Sequence, residues 1–298
     1  MRFEKWQALG NDYLIVERDE LPFELTAARV RKLCAGHFGV FADGVLLLER
    51  CEEKRFVARL RIYNPDGSEA ELSGNGAREA ILYLRHRGWA EHDVFSIITA
   101  AGEIRPTITG QDTCRVDMGR ASLTSENFPG GPSDGRGELV ADGRAWRFQH
   151  VSIGNPQCAI HVGDLATLNA LDLPAIGPAI EAHELFPKRT NVSWYTEVES
   201  DPPGGKAGGC ARIRARIFER GVGETLSSGT GATGAAVAYV EEHARNRPPG
   251  GRVKVGLDGG ELEVEVGDDL HVNLTGWARP VFEGRLSDDF LKELHETE

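Results

Sequence analysis

Two short segments half a chain apart carry the residue types with the clearest capacity for chemistry. Ser73-Gly74-Asn75-Gly76-Ala77-Arg78-Glu79-Ala80 and Ser228-Gly229-Thr230-Gly231-Ala232-Thr233-Gly234-Ala235 share the pattern S-G-x-G-A-x-x-A at an offset of 155 residues. The glycines let backbone N–H groups approach a ligand closely. Each segment opens onto a helix-forming run, so unpaired N–H donors and the positive end of a helix dipole stand beside the serine. Such a start favours an anion. A carboxylate held there would have the negative charge developing on its neighbouring carbon stabilised, which eases removal of a proton from that carbon. The simpler alternative is that each serine only caps its helix.

Polar residues flank both segments. Asn64 lies nine residues before Ser73 and Glu219 nine before Ser228, and the equal spacing predicts equivalent places. Glu219 is a candidate base, ahead of Glu79, which lies one turn into its helix and can point away. Arg220 could pair bidentately with a second carboxylate, or be a surface arginine on a strand end. Gly229 to Gly234 also spells G-x-G-x-x-G. A dinucleotide site needs a strand directly before that motif. Here the nearest strand is predicted to end near Phe218, and the sister segment has Glu79 in place of the third glycine, so no nucleotide is expected.

The elements that position these groups are also duplicated. Ala8-Leu9-Gly10-Asn11 echoes Ser152-Ile153-Gly154-Asn155 at an offset of 144, and Val116-Asp117-Met118-Gly119 echoes Val272-Asn273-Leu274-Thr275-Gly276 at about 156. Three echoes in the same order predict two copies of a β-rich unit with one long helix each, their helix starts facing one another across a cleft. The expected strands are 3–17, 45–49, 56–63 and 95–99, then 146–153, 158–162, 192–195, 211–218, 252–255, 261–266 and 270–274. Arg212 to Phe218 alternates a basic face with an apolar one. The expected helices are 27–34, 77–87 and 232–244, and 129–137, 201–209 and 246–251 read as Gly/Pro-rich surface loops.

Composition excludes several classes of partner. The 298 residues suit about two domains. A net charge of −12 argues against nucleic acid or an anionic membrane as partner. No apolar run approaches a membrane span, and Met1 to Trp6 has no signal-peptide core, so a cytoplasmic location is expected. The cysteines Cys34, Cys51, Cys114, Cys158 and Cys210 are odd in number, without a Cys-x-x-Cys pair, and read as free thiols. The histidines show no ligand spacing, and no metal is expected.

The chain resembles the diaminopimelate epimerase family, nearly end to end. The resemblance rests on Leu9-Gly10-Asn11-Asp12-Tyr13, Ala42-Asp43-Gly44, Tyr63-Asn64-Pro65-Asp66-Gly67-Ser68-Glu69, Gly74-Asn75-Gly76-Ala77-Arg78, Gly154-Asn155-Pro156, Phe186-Pro187-Lys188-Arg189-Thr190-Asn191, Glu219-Arg220-Gly221-Val222-Gly223-Glu224-Thr225 and Gly229-Thr230-Gly231-Ala232. It implies an α/β (α+β) fold of two pseudo-symmetric domains, each a β-barrel-like sheet around a central helix. Residues 1–119 would form the first half, rejoined by a segment from about 277 to 298, and 120–276 the second. It implies cofactor-independent epimerisation of LL- and meso-diaminopimelate by two-base proton transfer, in a homodimer. Asn11, Asn64, Asn155, Asn191, Glu219 and Arg220 would hold the far amino and carboxyl groups of the substrate, and Gly74, Asn75, Gly229 and Thr230 the reacting carboxylate.

The family's two proton-transferring cysteines correspond here to Ser73 and Ser228. Gln157 stands where the family has a histidine after Gly-Asn-Pro, Gln7-Ala8 replaces another near the start, and Glu79 takes a third cysteine position. A thiol ordinarily titrates near about 8.5. An aliphatic hydroxyl is a far weaker acid and needs an adjacent base. Three functions are compatible with this set: an epimerase working through Ser73, Ser228, Glu219 and Gln157; a relative that binds an amino acid without turnover; or another isomerase or dehydratase of the same superfamily with Glu219 or Glu79 as base.

Overall fold

The structure is a computed structural model that describes residues 1–71, 73–199, 210–244 and 251–297. The loop expected at 201–209, and all but Gly251 of the one expected at 246–251, lie outside the described residues. The chain divides into two compact units, Met1–Val116 with Gly276–Glu298, and Asp117–Thr275.

The first unit begins with a hairpin. Residues 3–17, expected as one strand, form two: β1 (Arg2–Ala8) and β2 (Asn11–Glu17). Leu9 (φ 54°) and Gly10 (φ 85°) make the two-residue turn, with Ala8 opposite Asn11. Such a turn needs positive φ at both residues. Leucine rarely supplies it, so the sequence hides the turn, but Leu9 is fully buried and its packing holds the conformation. Helix α1 (Ala27–Cys34) then crosses to β3 (Val45–Glu49), which lies parallel to β2. Next come β4 (Ala58–Tyr63), β5 (Glu69–Ala70), α2 (Gly74–His86), β6 (Ile97–Thr99), β7 (Gly102–Ile104) and β8 (Thr107–Ile108). β6 lies parallel to β4, so α2 is the crossover of a second β–α–β unit.

Strand β9 (Thr113–Arg120) carries the chain into the second unit. There follow β10 (Arg136–Ala141), β11 (Arg144–Ser152), β12 (Pro156–His161), α3 (Leu165–Asn169), α4 (Leu173–Glu181), β13 (Asn191–Glu199), β14 (Ala211–Glu219), β15 (Gly223–Thr225), α5 (Gly229–Glu242), β16 (Arg252–Leu257), β17 (Gly260–Val266) and β18 (His271–Trp277). The chain ends with β19 (Arg279–Arg285) and α6 (Asp288–Glu296).

The duplication read from the sequence recurs strand by strand. One sheet runs β19-β1-β2-β3-β4-β6-β7 with β5 on β4; the other runs β10-β11-β12-β13-β14-β16-β17-β18-β9-β8 with β15 on β14. β12 and β13 are parallel, as are β14 and β16, in the same succession as β2, β3, β4 and β6. Each sheet packs against one long helix, α2 or α5, that is buried on nearly every side. The fold is thus mixed α and β, with two sheet-rich domains as expected. The strand orders run between two ends, so the sheets are open and not closed barrels.

The other sheet faces are covered differently. In the first unit Val30 and Leu33 of α1 join Leu14, Val16, Leu47 and Leu294 in one cluster. Arg29 Nε donates to Leu294 O (2.8 Å), which fastens α6 there. In the second unit α3 and α4 cover β11–β14 through Leu168, Leu173, Ile176, Ile180 and Trp194. α4 was not legible because Pro174, Gly177 and Pro178 read as breakers. A Cβ on Gly177 would stand 2.5 Å from the Phe218 ring, so the glycine allows close helix–sheet contact. The short β7, β8, β10 and β15 escaped notice, as did β9, β19, α3 and α6, and Arg136 and Gly137 of the expected loop belong to β10. No helix among the described residues is long and apolar enough to cross a membrane.

Candidate functional site

Both long helices begin three residues earlier than expected, because the serines cap them. Ser73 (φ −128°, ψ 123°) and Ser228 (φ −145°, ψ 125°) are in extended backbone. Their Oγ atoms accept the N–H of Gly76 (3.1 Å) and Gly231 (3.2 Å). The capping role is therefore real in both halves, worth about 1 kcal/mol each. The second glycine of each pattern serves packing. A Cβ on Gly231 would lie 2.7 Å from Ile217 Cδ1, and one on Gly76 3.0 Å from Leu46 Cδ2.

Capping leaves the rest of each serine's hydrogen bonding open, and the second unit uses it. The Ser228 hydroxyl donates to Glu219 Oε2 (3.0 Å), and Thr225 donates to Glu219 Oε1 (2.8 Å). Local topology produces this triad. β14 ends at Glu219, the chain turns through Gly221 (φ 78°), and β15 returns antiparallel with Gly223 opposite Glu219. That β15, not Phe218, marks the last strand before the G-x-G-x-x-G segment corrects the expected spacing. Burial raises the Glu219 carboxyl above the usual range, and the two hydroxyl donors pull it partly back.

Strand β12 supplies the other side of this half. Asn155 Nδ2 donates to Thr230 Oγ1 (3.2 Å), and Gln157 Nε2 donates to Asn155 Oδ1 (2.7 Å). Gln157 is fully buried and its Oε1 has no hydrogen-bond partner among the described residues. Gly234 makes room for it: a Cβ there would sit 2.8 Å from Gln157 Cβ. Gly234→Ala is expected to lower the thermal unfolding midpoint through overpacking of about 1–3 kcal/mol. This exceeds the gain of about 1 kcal/mol in helix propensity. Adding Gln157→Ala should recover part of the loss, and an unchanged midpoint for Gly234→Ala alone would refute the packing assignment.

Asn191 is occupied structurally. Its Nδ2 donates to Pro156 O (3.0 Å) and its Oδ1 accepts the Arg220 N–H (2.9 Å). Arg220 itself is exposed, with Nη1 donating to Lys188 O (3.0 Å), so its guanidinium is anchored by one N–H.

In the first unit Ser73, Asn75 and Asn11 come together. Asn75 Nδ2 donates to Asn11 Oδ1 (3.3 Å), and Asn11 Nδ2 donates to Asp43 Oδ2 (2.8 Å), which also accepts the Asp12 N–H (3.0 Å). Arg78, fully buried, donates to Gly74 O (3.0 Å) and to Asn75 Oδ1. Asn64 does not join them by hydrogen bonding among the described residues. Its Nδ2 donates to Ser68 Oγ (3.0 Å) within its own turn. The matching place in the second half is Gly223, which has no side chain to compete for Glu219.

Two partners were missed from sequence. The Tyr13 hydroxyl donates to Ser73 Oγ (3.3 Å), and Thr225 holds Glu219. The 144-residue offset held a signal for Tyr13, since it pairs Asn11 with Asn155 and so Tyr13 with Gln157. Glu79, the lesser candidate base, is fully buried in the first unit. Burial drives its carboxyl well above the usual range, against the pull of Arg78; the Tyr13 N–H also favours the anion but falls short of hydrogen-bond geometry, and neither carboxyl oxygen has a hydrogen-bond partner among the described residues. None of the five cysteines is in a disulfide among the described residues, and burial pushes Cys34 and Cys114 up to about 12. Thiols so shifted are poor thiolate nucleophiles.

The family profile described as diaminopimelate epimerase matches residues 3–124 and 149–281. The diaminopimelate epimerase of Moorella thermoacetica is 37% identical over 297 residues, covering 95% of this chain and 98% of the relative. That of Desulfitobacterium hafniense is 38% identical over 302 residues, covering 98% and 100%. Among solved structures, a phenazine biosynthesis protein of the PhzF family from Bacillus anthracis matches with a TM-score of 0.64 at 18% identity, over 96% of this chain and 99% of that one. A probable proline racemase from Agrobacterium radiobacter with bound carbonate matches with a TM-score of 0.63 at 16% identity, over 97% and 93%. At such identities the structural matches speak for the fold alone.

Proposed function

Because the chain belongs to the diaminopimelate epimerase family, we propose that it interconverts LL- and meso-diaminopimelate without a cofactor, by two-base proton transfer at the α-carbon. The observation that carries this reading is the Ser228 hydroxyl bonded to the Glu219 carboxylate at 3.0 Å, at the start of a long helix. It supplies the adjacent base that a serine needs in place of a thiol. On this reading the α-proton passes to Glu219, directly or through Ser228 Oγ, while Ser73 belongs to the proton-returning end. The helix-start N–H groups at Gly74, Asn75, Gly229 and Thr230 take the reacting carboxylate and stabilise the charge that builds as the α-carbon loses its proton. Gln157 positions Asn155. Asn11, Asn64, Asn155, Asn191 and Arg220 are assigned to the far, charged end of the substrate, with Arg220 as its carboxylate partner. The same family resemblance supports a cytoplasmic homodimer, which light scattering would test as twice the chain mass.

In D2O the protein should introduce deuterium at the α-carbon of LL-diaminopimelate, followed by proton NMR. Exchange no faster than a protein-free control would overturn the reading. A second reading, binding without turnover, is favoured by one observation: no carboxylate or imidazole hydrogen-bonds to Ser73 among the described residues. It expects calorimetric heat on titration with diaminopimelate but no exchange. Ser73→Cys combined with Ser228→Cys should then restore exchange.

A further inference from the structure

We propose that Tyr13 is the proton source behind Ser73, so that the two serines are backed by chemically unlike groups: a carboxylate behind Ser228 and a phenol behind Ser73. The proposal rests on the epimerase reading and deepens it.

The two serines have chemically different hydrogen-bond partners. Ser228 gives its hydrogen to Glu219 and keeps a lone pair. Ser73 accepts from the Gly76 N–H (3.1 Å) and shares a hydrogen bond with the Tyr13 hydroxyl (3.3 Å); with Tyr13 donating, the Ser73 hydrogen is left for the α-carbon. One serine is arranged to receive a proton and the other to deliver one. A lone aliphatic hydroxyl would deliver poorly, because an alkoxide would remain. With Tyr13 behind it, the charge moves to a phenolate, the conjugate base of a group that ordinarily titrates near about 10.

The step balances. The Ser73 O–H bond breaks as the new α-C–H bond forms. The Tyr13 O–H bond breaks as the Ser73 O–H bond re-forms, and the electron pair stays on the phenolate oxygen. The proton first taken from the α-carbon rests on Glu219, and both groups return to their starting state by exchange with water. The opposite direction uses the same groups with roles reversed.

The ring is fixed for this task. Tyr13 is 5% exposed, in β2. A Cβ on Gly44 would stand 2.6 Å from Tyr13 Cε1, so the absent side chain lets the ring lie against the backbone there. In the second half the matching Gln157 reaches Asn155 and not Ser228. Among the described residues each serine thus has one ionisable hydrogen-bond partner, drawn from a different element: Glu219 at the end of β14 for Ser228, and Tyr13 in β2 for Ser73.

Tyr13→Phe removes only the hydroxyl and tests this as a positioning and relay role. Deuterium uptake into LL-diaminopimelate should slow about 100-fold, the lower part of the range for general acid–base groups. Calorimetric affinity for LL-diaminopimelate should stay within about threefold, because Tyr13 is assigned to proton delivery and not to binding. Adding Ser73→Cys to Tyr13→Phe should recover the rate at least about tenfold, since a thiol delivers its own proton. If the parent exchanges and Tyr13→Phe stays within about threefold of it, the relay is overturned while the epimerase reading stands. Failure of Ser73→Cys to rescue overturns it too, as a purely structural role. A parent without exchange overturns the epimerase reading, and the relay with it.

Discussion

Glu219→Gln should slow α-deuterium incorporation from LL-diaminopimelate about 1000-fold, within the range that a general base supplies, without unfolding the protein. Glutamine is nearly the same shape: its carbonyl oxygen can accept one of the two hydroxyls that Glu219 accepts at 2.8 and 3.0 Å, and its NH2 can donate to the oxygen of the other once that hydroxyl rotates. What it cannot do is take a proton. The fold should survive, read as an unchanged circular dichroism spectrum and thermal midpoint. Glu219→Asp keeps the charge but withdraws it by one methylene from Ser228, so its rate should fall between the two. The pH profile adds an independent check. Burial holds the Glu219 carboxyl above the usual range. A base with a raised pKa stays protonated to higher pH, so the parent's rate should fall with decreasing pH at a higher pH than an ordinary glutamate would give. That limb should vanish in the glutamine variant. A Glu219→Gln rate within about tenfold of the parent would remove Glu219 from the base role.

Glu79→Gln should make the protein more stable at pH 7–8 and leave it nearly unchanged near pH 4. Glu79 is fully buried, its carboxyl oxygens have no hydrogen-bond partner among the described residues, and its protonated form is strongly favoured in the folded state. In the unfolded chain it titrates near about 4.3. Above that value the unfolded chain releases a proton that the folded chain keeps, so stability declines as pH rises, by about 1.4 kcal/mol per pH unit at full slope. The decline starts at the unfolded pKa and ends at the raised folded one. Glutamine has no proton to lose and escapes it. Urea unfolding of both proteins between pH 4 and 8 should give curves that diverge with rising pH. Parallel curves would mean that Glu79 is ionised against Arg78, and the assignment of a neutral buried acid would fall.

These two glutamates show how far local pattern reaches. The nine-residue spacing from Glu219 to Ser228 was readable because one tight hairpin spans it, with Glu219 opposite Gly223. The same spacing from Asn64 to Ser73 marks the equivalent strand end, with Ser68 opposite Asn64, but not the same hydrogen bond. There Ser68 stands in the place of Gly223 and takes the Asn64 amide for its own turn. A single side chain in the turn decides whether the strand-end residue serves the turn or the helix start. Glu79 was one turn into a helix on any reading, but whether that turn faced solvent depended on which strands surrounded it.

The sequence by itself determined the duplication, the three best helices, the mixed sheet-rich fold and the serines at the two helix starts. These follow from groups within a few residues of one another, where capping geometry and helix periodicity act without help from the rest of the chain. Tertiary structure alone decided which side chain stands behind each serine and which acids are buried. Tyr13 and Ser73 are 60 residues apart and meet only because α2 packs across β2 and fixes the height of its first turn over that strand. Gln157 opposite Gly234, and the Tyr13 backbone near Glu79, are likewise sheet-against-helix arrangements, set by how closely the two elements approach. That approach depends on volumes contributed from distant parts of the chain, and no local pattern encodes it.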